Sequence, residues 1–225
     1  MMGLFITFEG SEGAGKSTQA RVLAQTLTDA GYATLSVREP GGTAIGDQIR
    51  AIVLGLHNTE MDPTAETLLF SASRAQLVHQ VIRPHLARGG VVICDRYADS
   101  TYAYQGYGLG RNLADLETVT AIATGGLVPD VTFWLRLDPA HGLARKQQPG
   151  VTDIEWNRLD AHELAFHRRV AAGYEALAAR DPNRWVLCDA QAPVDTIATQ
   201  IFTTLRPALA TLPRRVGTDT ERKPV

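Results

Sequence analysis

Only two cysteines occur in 225 residues, and they sit far apart at Cys94 and Cys188. That scarcity excludes a disulfide scaffold and a thiolate metal cluster, and because each ends an apolar run, buried reduced thiols are expected. Apolar runs long enough to cross a bilayer are also missing, and the N-terminus has no basic segment leading into an apolar one. Neither a membrane span nor a secretory signal is therefore expected, and the chain reads as a cytoplasmic enzyme. Basic runs are absent before the extreme C-terminus and the formal net charge is −2, which argues against a nucleic-acid polymer as the main partner. The arginines must be read one at a time. There is no internal repeat, and no Asn-Lys-x-Asp sequence of the kind a guanine-reading switch protein carries. The length and an apolar content of 44% suit one α/β domain with a sizeable core.

What is present is concentrated first in residues 4–18. Leu4 to Phe8 is an apolar strand pattern, and it leads into Gly10-Ser11-Glu12-Gly13-Ala14-Gly15-Lys16-Ser17-Thr18 and then a helical pattern. Gly10, Gly15, Lys16 and Ser17 fill the G-x-x-x-x-G-K-[ST] spacing of a phosphate-binding loop. Glycines let backbone N–H groups curl around phosphate oxygens, and the helix N-terminus adds partial positive charge. Lys16 is expected to reach the β- and γ-phosphates of the bound ligand, and Ser17 to place its hydroxyl on Mg²⁺.

Further along, Ala20, Leu23, Ala24 and Leu27 keep helical spacing up to a stop at Gly31. Residues 33–37 read as a strand ending in the turn-forming Arg38-Glu39-Pro40-Gly41-Gly42-Thr43. Asp62-Pro63 supplies an N-cap and a first-turn proline for a helix to about Leu86, with Ala65, Leu68, Ala72, Ala75, Ile82 and Leu86 expected inward. Pro84 is a point where that helix could kink or end. Phe70 and Arg74 lie on the opposite side, four apart. They are read either as a base-stacking and phosphate-holding pair or, with Leu77 and Val81, as part of a subunit interface. A buried strand 91–95 ends in Asp95, placed as a Walker-B-like carboxylate near Mg²⁺, and Arg96 follows directly. A structural ion pair between those two is the lesser alternative. Residues 97–111, rich in Tyr, Ser, Thr, Gln and Gly, suit a small-molecule pocket. Helices are expected over 116–123, from Asp138-Pro139 to about Lys146, over 159–179, and from Pro193 to about Leu205. Strands are expected over 131–137 and 185–188. Residues 147–157, broken by Pro149-Gly150, suit a lid.

Taken together, the phosphate loop, Arg38 to Thr43, Phe70 with Arg74, and the segment Asp95-Arg96-Tyr97-Ala98-Asp99-Ser100-Thr101-Tyr102-Ala103-Tyr104-Gln105-Gly106 resemble the bacterial thymidylate kinase family. The likeness runs from about Gly3 to Leu205 and takes in Pro129-Asp130-Val131-Thr132, Leu137-Asp138 and Asp189-Ala190. It implies a three-layer P-loop kinase fold of the α/β class, with a parallel sheet of about five strands and helices on both faces. The domain would span 1–210, with a lid at about 145–158 and a disordered tail at 211–225. The implied reaction is transfer of the γ-phosphoryl of ATP to dTMP, with Mg²⁺, in a homodimer.

Carried over residue by residue, the resemblance puts Phe70 on thymine, Arg74 and Gln105 at its edge, and Arg38 and Arg96 on the acceptor phosphate. Glu12 would lie near the sugar and phosphate, and Tyr104 near the sugar 2′ carbon. Glu39, Pro40, Arg50 and Ser100 complete the acceptor pocket. Some members carry an arginine inside the phosphate loop; here Ser11, Glu12, Gly13 and Ala14 stand instead, so the charge on the transferring phosphoryl falls to the lid. Arg158 is expected to meet it, Arg145 to stack on adenine, and Lys146 is the remaining basic residue. A sibling kinase for another small acceptor, and a nucleotide-dependent binding module, are the rival readings.

Overall fold

The computed structural model describes residues 3–148 and 156–214. The predicted helix breaker Pro149-Gly150, and with it most of the expected lid, lies outside the described residues, as does the tail after 214.

Five parallel strands form the middle layer: β1 (Leu4–Glu9), β2 (Thr34–Arg38), β3 (Val91–Asp95), β4 (Val131–Arg136) and β5 (Trp185–Asp189), in the spatial order β2-β3-β1-β4-β5. Strand alternation sorts the core. Leu4, Ile6 and Phe8 point to one face, where Leu23 and Leu27 of α1 (Lys16–Asp29) and Ile197, Ile201 and Leu205 of α9 (Val194–Leu209) cover them. Phe5 points to the other, onto Leu77, Val78, Ile82 and Tyr97. Towards β5 that second face is closed by Phe166, Val170, Tyr174 and Leu177 of α8 (Leu164–Arg180) against Trp134 and Trp185. Each such side chain contributes about 1.5–3 kcal/mol on burial. The chain leaves β1 for β2 on one side and reaches β4 on the other, so the carboxyl end of β1 sits at the switch point where open α/β sheets bind ligands.

The remaining helices are α2 (Ala44–Leu54), α3 (Pro63–Leu77), α4 (Arg83–Ala87), α5 (Ala98–Thr101), α6 (Leu113–Thr124) and α7 (Pro139–Gln147). The predicted caps are seen. Asp62 accepts from Thr64 N and Ala65 N, and Asp138 from Ala140 N and His141 N. Both cysteines are buried and unpaired, and burial pushes the Cys188 thiol up to about 11.

Several expectations need correction. Helix α2 was not foreseen, although Thr43 caps it by accepting from Gly46 N at 2.9 Å. Pro84 does not end the long helical run, because a π-helical turn, Val78–Ile82, joins α3 to α4 ahead of it. The stripe Ala65, Leu68 and Ala72 faces outward, while Glu66, Thr67, Ser71, Ser73, Arg74 and Leu77 are buried. Polar groups can take the inner face because each finds a partner there, as Ser73 Oγ does in accepting from Gly41 N at 3.0 Å. Leu77 is therefore core rather than interface. Helix α8 starts at Leu164, since residues 157–163 form turns pinned by Asp160, whose carboxylate accepts from Asn157 N at 2.7 Å. Helix α9 runs through Pro207 to Leu209; in its last turn the missing N–H forfeits a single bond. The expected tail is anchored at its start, where Arg214 bridges to Tyr32 with its guanidinium 5.3 Å from the ring centre.

Candidate active site

At the end of β1 the chain turns through Gly10 (φ 140°) and Gly13 (φ 66°) into α1. A Cβ on Gly13 would lie 2.2 Å from Gly142 O, so only glycine lets the loop pack against α7. That contact matters because Lys146 lies four residues beyond Gly142, on the same helix face. Its ammonium is 2.6 Å from Asp160 Oδ2 and 3.5 Å from Glu12 Oε2. Lys16 Nζ donates to Ser11 O at 2.8 Å. Burial, followed by repulsion from Arg96, lowers its pKa to about 8. Ser17 Oγ donates to Asp95 Oδ2 in a short hydrogen bond. This pair offers two hard oxygen atoms, a donor set that suits a cation which keeps most of its waters. Among the described residues no group of three His, Cys, Asp or Glu could form an all-protein metal cage.

Arg96 has φ 70°, the left-handed region that a non-glycine residue rarely adopts. This turn aims the guanidinium back across the end of the sheet. It donates to Glu12 Oε1 at 2.5 Å, Tyr104 OH at 3.1 Å, Gly10 O at 3.2 Å, and Ser100 Oγ and Tyr174 OH at 3.3 Å. Burial alone would raise the Glu12 carboxyl; Arg96, Lys16 and Lys146 overcome it and hold the group well below the carboxylate range. Below them lies Glu9, fully buried, accepting from Tyr97 N at 2.8 Å, Ser100 Oγ at 2.6 Å and Tyr174 OH at 2.9 Å. Burial, then the neighbouring Asp99, raises its pKa to about 7.

On the α3 side, Arg74 is 1% exposed. Three of its donors are engaged, by Glu39 at 2.7 Å, Thr101 Oγ1 at 3.0 Å and Tyr97 O at 3.1 Å. Burial raises Glu39 to about 7 despite that arginine. Between this wall and the phosphate loop opens a single cavity of about 1060 Å³. Glu12, Arg38, Glu39, Pro40, Arg50, Phe70, Arg74, Arg96, Ser100, Tyr104 and Gln105 all line it, together with Gly13, Gly15, Lys16, Ser17, Thr18 and Asp95.

A family model described as thymidylate kinase matches residues 8–201. The chain belongs to the thymidylate kinase family. It is 59% identical to the thymidylate kinase of Roseiflexus castenholzii over 95% of this chain and 97% of that one. It is 50% identical to that of Herpetosiphon aurantiacus over 94% and 98% of the two chains. The crystal structure of thymidylate kinase from Ehrlichia chaffeensis superposes with a TM-score of 0.74 at 28% identity, over 92% of this chain and all of that one. The five-stranded parallel sheet with helices on both faces is this family's P-loop kinase fold.

Within this kinase site, two of the expected lid residues lie off the cavity wall. Arg158 Nη2 makes a short ion pair with Glu66, and its Nε donates to Val53 O at 3.2 Å, which ties it to α2 and α3 instead of the phosphate loop. The reason is a buried carboxylate on α3 that needs a cation, and no local sequence pattern announces it. Arg145 donates to Ala190 O at 3.2 Å, in the turn after β5. Lys146 is the one of the three that lines the cavity. Sequence reasoning also passed over Glu9, Asp160 and Tyr174. For Glu9 a signal existed, namely an acid closing an otherwise apolar strand; Tyr174 offered none, being one aromatic among the core residues of α8.

Proposed function

We propose that the cavity between the phosphate loop and α3 carries out this family's reaction with the following division of labour. The reaction is ATP-dependent phosphorylation of dTMP, giving dTDP and ADP. The observation that carries the assignment is the position of Arg96. It lines the same cavity as the triphosphate groups Lys16, Ser17 and Asp95 and the acceptor groups Phe70, Arg74 and Gln105. Lys16 holds the β- and γ-phosphates, Arg38 and Arg96 hold the acceptor phosphate, and Phe70 stacks on the thymine ring. Arg74 and Gln105 read the edge of the base, while Glu12 and Tyr104 face the sugar, and Arg50, Glu39, Pro40 and Ser100 shape the pocket floor.

Ser17 and Asp95 would hold Mg²⁺, which when bound neutralises charge developing on the phosphate oxygens. For its part the protein supplies position and positive charge, because the acceptor is already a phosphate oxygen and needs no general base. Lys146, held over the loop by Asp160, supplies the charge that the loop lacks. Arg145, on the Ala190 turn, faces the donor base. Exposed Ile52, Leu68 and Ile122 lie on α2, α3 and α6, which pack side by side, and they support a homodimer formed through those helices. No helix among the described residues is long and apolar enough to cross a membrane, which is consistent with a cytoplasmic enzyme. Initial rates of Mg²⁺-dependent ADP release from ATP, measured over a panel of nucleoside monophosphates, test the reading. dTMP should be preferred, and faster turnover of AMP or CMP would sink it.

A further inference from the structure

Glu66 has no role in the phosphoryl transfer described above, yet it is a carboxylate only 2% exposed on the inner face of α3. Its Oε1 accepts from Gln105 Nε2 at 2.7 Å, and its Oε2 is gripped by Arg158. Arg158 is itself fixed, through its backbone N–H to Leu54 O and its Nε to Val53 O, both at 3.2 Å. A carboxylate paired with a guanidinium can only accept hydrogen bonds, so the amide it touches must present N–H. The flipped amide would set two acceptor oxygens against each other inside a buried site, which is costly. Gln105 is therefore held in one orientation. Its other end, Oε1, has no donor among the described residues, and the residue lines the acceptor cavity.

We infer that Glu66, clamped by Arg158, is the positioning residue that sets base specificity by fixing Gln105 with its carbonyl oxygen toward the base. The inference rests on the dTMP reading of this cavity. An acceptor at that place suits the N3–H of thymine, which uracil shares. Cytosine carries an unprotonated, accepting N3, so against it the same oxygen meets another acceptor. The chain from Arg158 to Glu66 to Gln105 thus selects the imide edge, while leaving any thymine-versus-uracil choice to contacts elsewhere.

The test is a comparison of kcat/KM for dTMP, dUMP and dCMP with ATP and Mg²⁺. In Glu66→Gln, Arg158 keeps the side-chain oxygen, so the new NH₂ faces Gln105 and turns that amide over, presenting a donor to the base. The dTMP to dCMP preference should fall by about 10- to 100-fold, the effect of leaving one buried polar group mispaired. The dTMP to dUMP ratio should hold. The reciprocal exchange Glu66→Gln with Gln105→Glu restores a donor on α3 and an acceptor toward the base, and it should recover most of the lost preference. A merely structural role predicts parallel losses for all three monophosphates and no recovery in the double variant, and either result would overturn the inference. Because the double variant is assayed on its own, poor folding of the single variant leaves the test intact. A parent enzyme that fails to phosphorylate dTMP would instead overturn the functional reading beneath it.

Discussion

Lys16 is held at a pKa of about 8, against an ordinary value of 10.5, first by burial and then by the Arg96 cation. At roughly 1.4 kcal/mol per pH unit, carrying that charge costs the free protein about 3 kcal/mol. The sign follows from linkage. Below pH 8 the ammonium is charged in folded and unfolded chains alike, so the whole cost is borne; between pH 8 and 10.5 the folded chain releases the proton first and regains stability. ATP brings negative charge to the same spot and raises the pKa again, so its binding should take up about half a proton at pH 8 and nearly one at pH 9. Since kcat/KM reports the free enzyme and kcat the bound complex, kcat/KM for ATP should fall about tenfold per pH unit above 8, while kcat stays level. Initial-rate profiles, with calorimetry of ATP binding in two buffers of different ionisation enthalpy, measure both quantities. Lys16→Met should lower kcat by about 10²- to 10³-fold, as loss of one charge-stabilising donor does, without lowering the thermal midpoint. A flat kcat/KM profile without proton uptake, or a variant that unfolds more readily, would refute the reasoning.

The remaining predictions concern other groups of the cavity and the core. Lys146→Met should lower kcat by about 10²-fold with little change in KM for dTMP. Arg158→Met should act mainly on KM for dTMP; a large loss of kcat in it and a normal kcat in Lys146→Met would return the phosphoryl to Arg158. Tyr104→Phe removes the hydroxyl that lies 2.9 Å from Glu12 and 3.1 Å from Arg96 but keeps the ring. It should therefore preserve discrimination against a ribose 2′-hydroxyl, whereas Tyr104→Ala should relax it by about 10- to 200-fold in relative kcat/KM. Equal ribose-to-deoxyribose ratios in both variants would remove the ring from that role. Arg184 pairs with Asp99 through two nitrogens, at 2.7 and 3.1 Å. Arg184→Met leaves Asp99, 3% exposed, without its cation and should cost about 3–5 kcal/mol in urea unfolding; a loss below about 1 kcal/mol would class the pair with surface ion pairs.

Much of this enzyme was legible in the chain because the signals are local. The strand, glycines, lysine and serine of residues 4–18 are contiguous, and Asp62-Pro63, Asp138-Pro139, Gly31 and Gly125 act on helix ends within a turn of themselves. The residues of segment 95–106 that the resemblance assigned to the acceptor, Arg96, Ser100, Tyr104 and Gln105, line one cavity with the phosphate loop. Partner choice across the fold was not legible. Nothing near residue 74 says that Arg74 will be buried against Glu39, 35 residues away, so the apolar stripe of α3 was assigned to the wrong side. Arg158 and Lys146 are two basic residues flanking one loop, and spacing alone gave no way to rank them. Contacts across the fold separate them: Glu66 takes Arg158 over 92 residues, while Asp160 takes Lys146 at 2.6 Å and leaves it 3.5 Å from Glu12, 134 residues away. A buried carboxylate must find a counter-charge wherever packing brings one, and only the tertiary structure determines which cation that is.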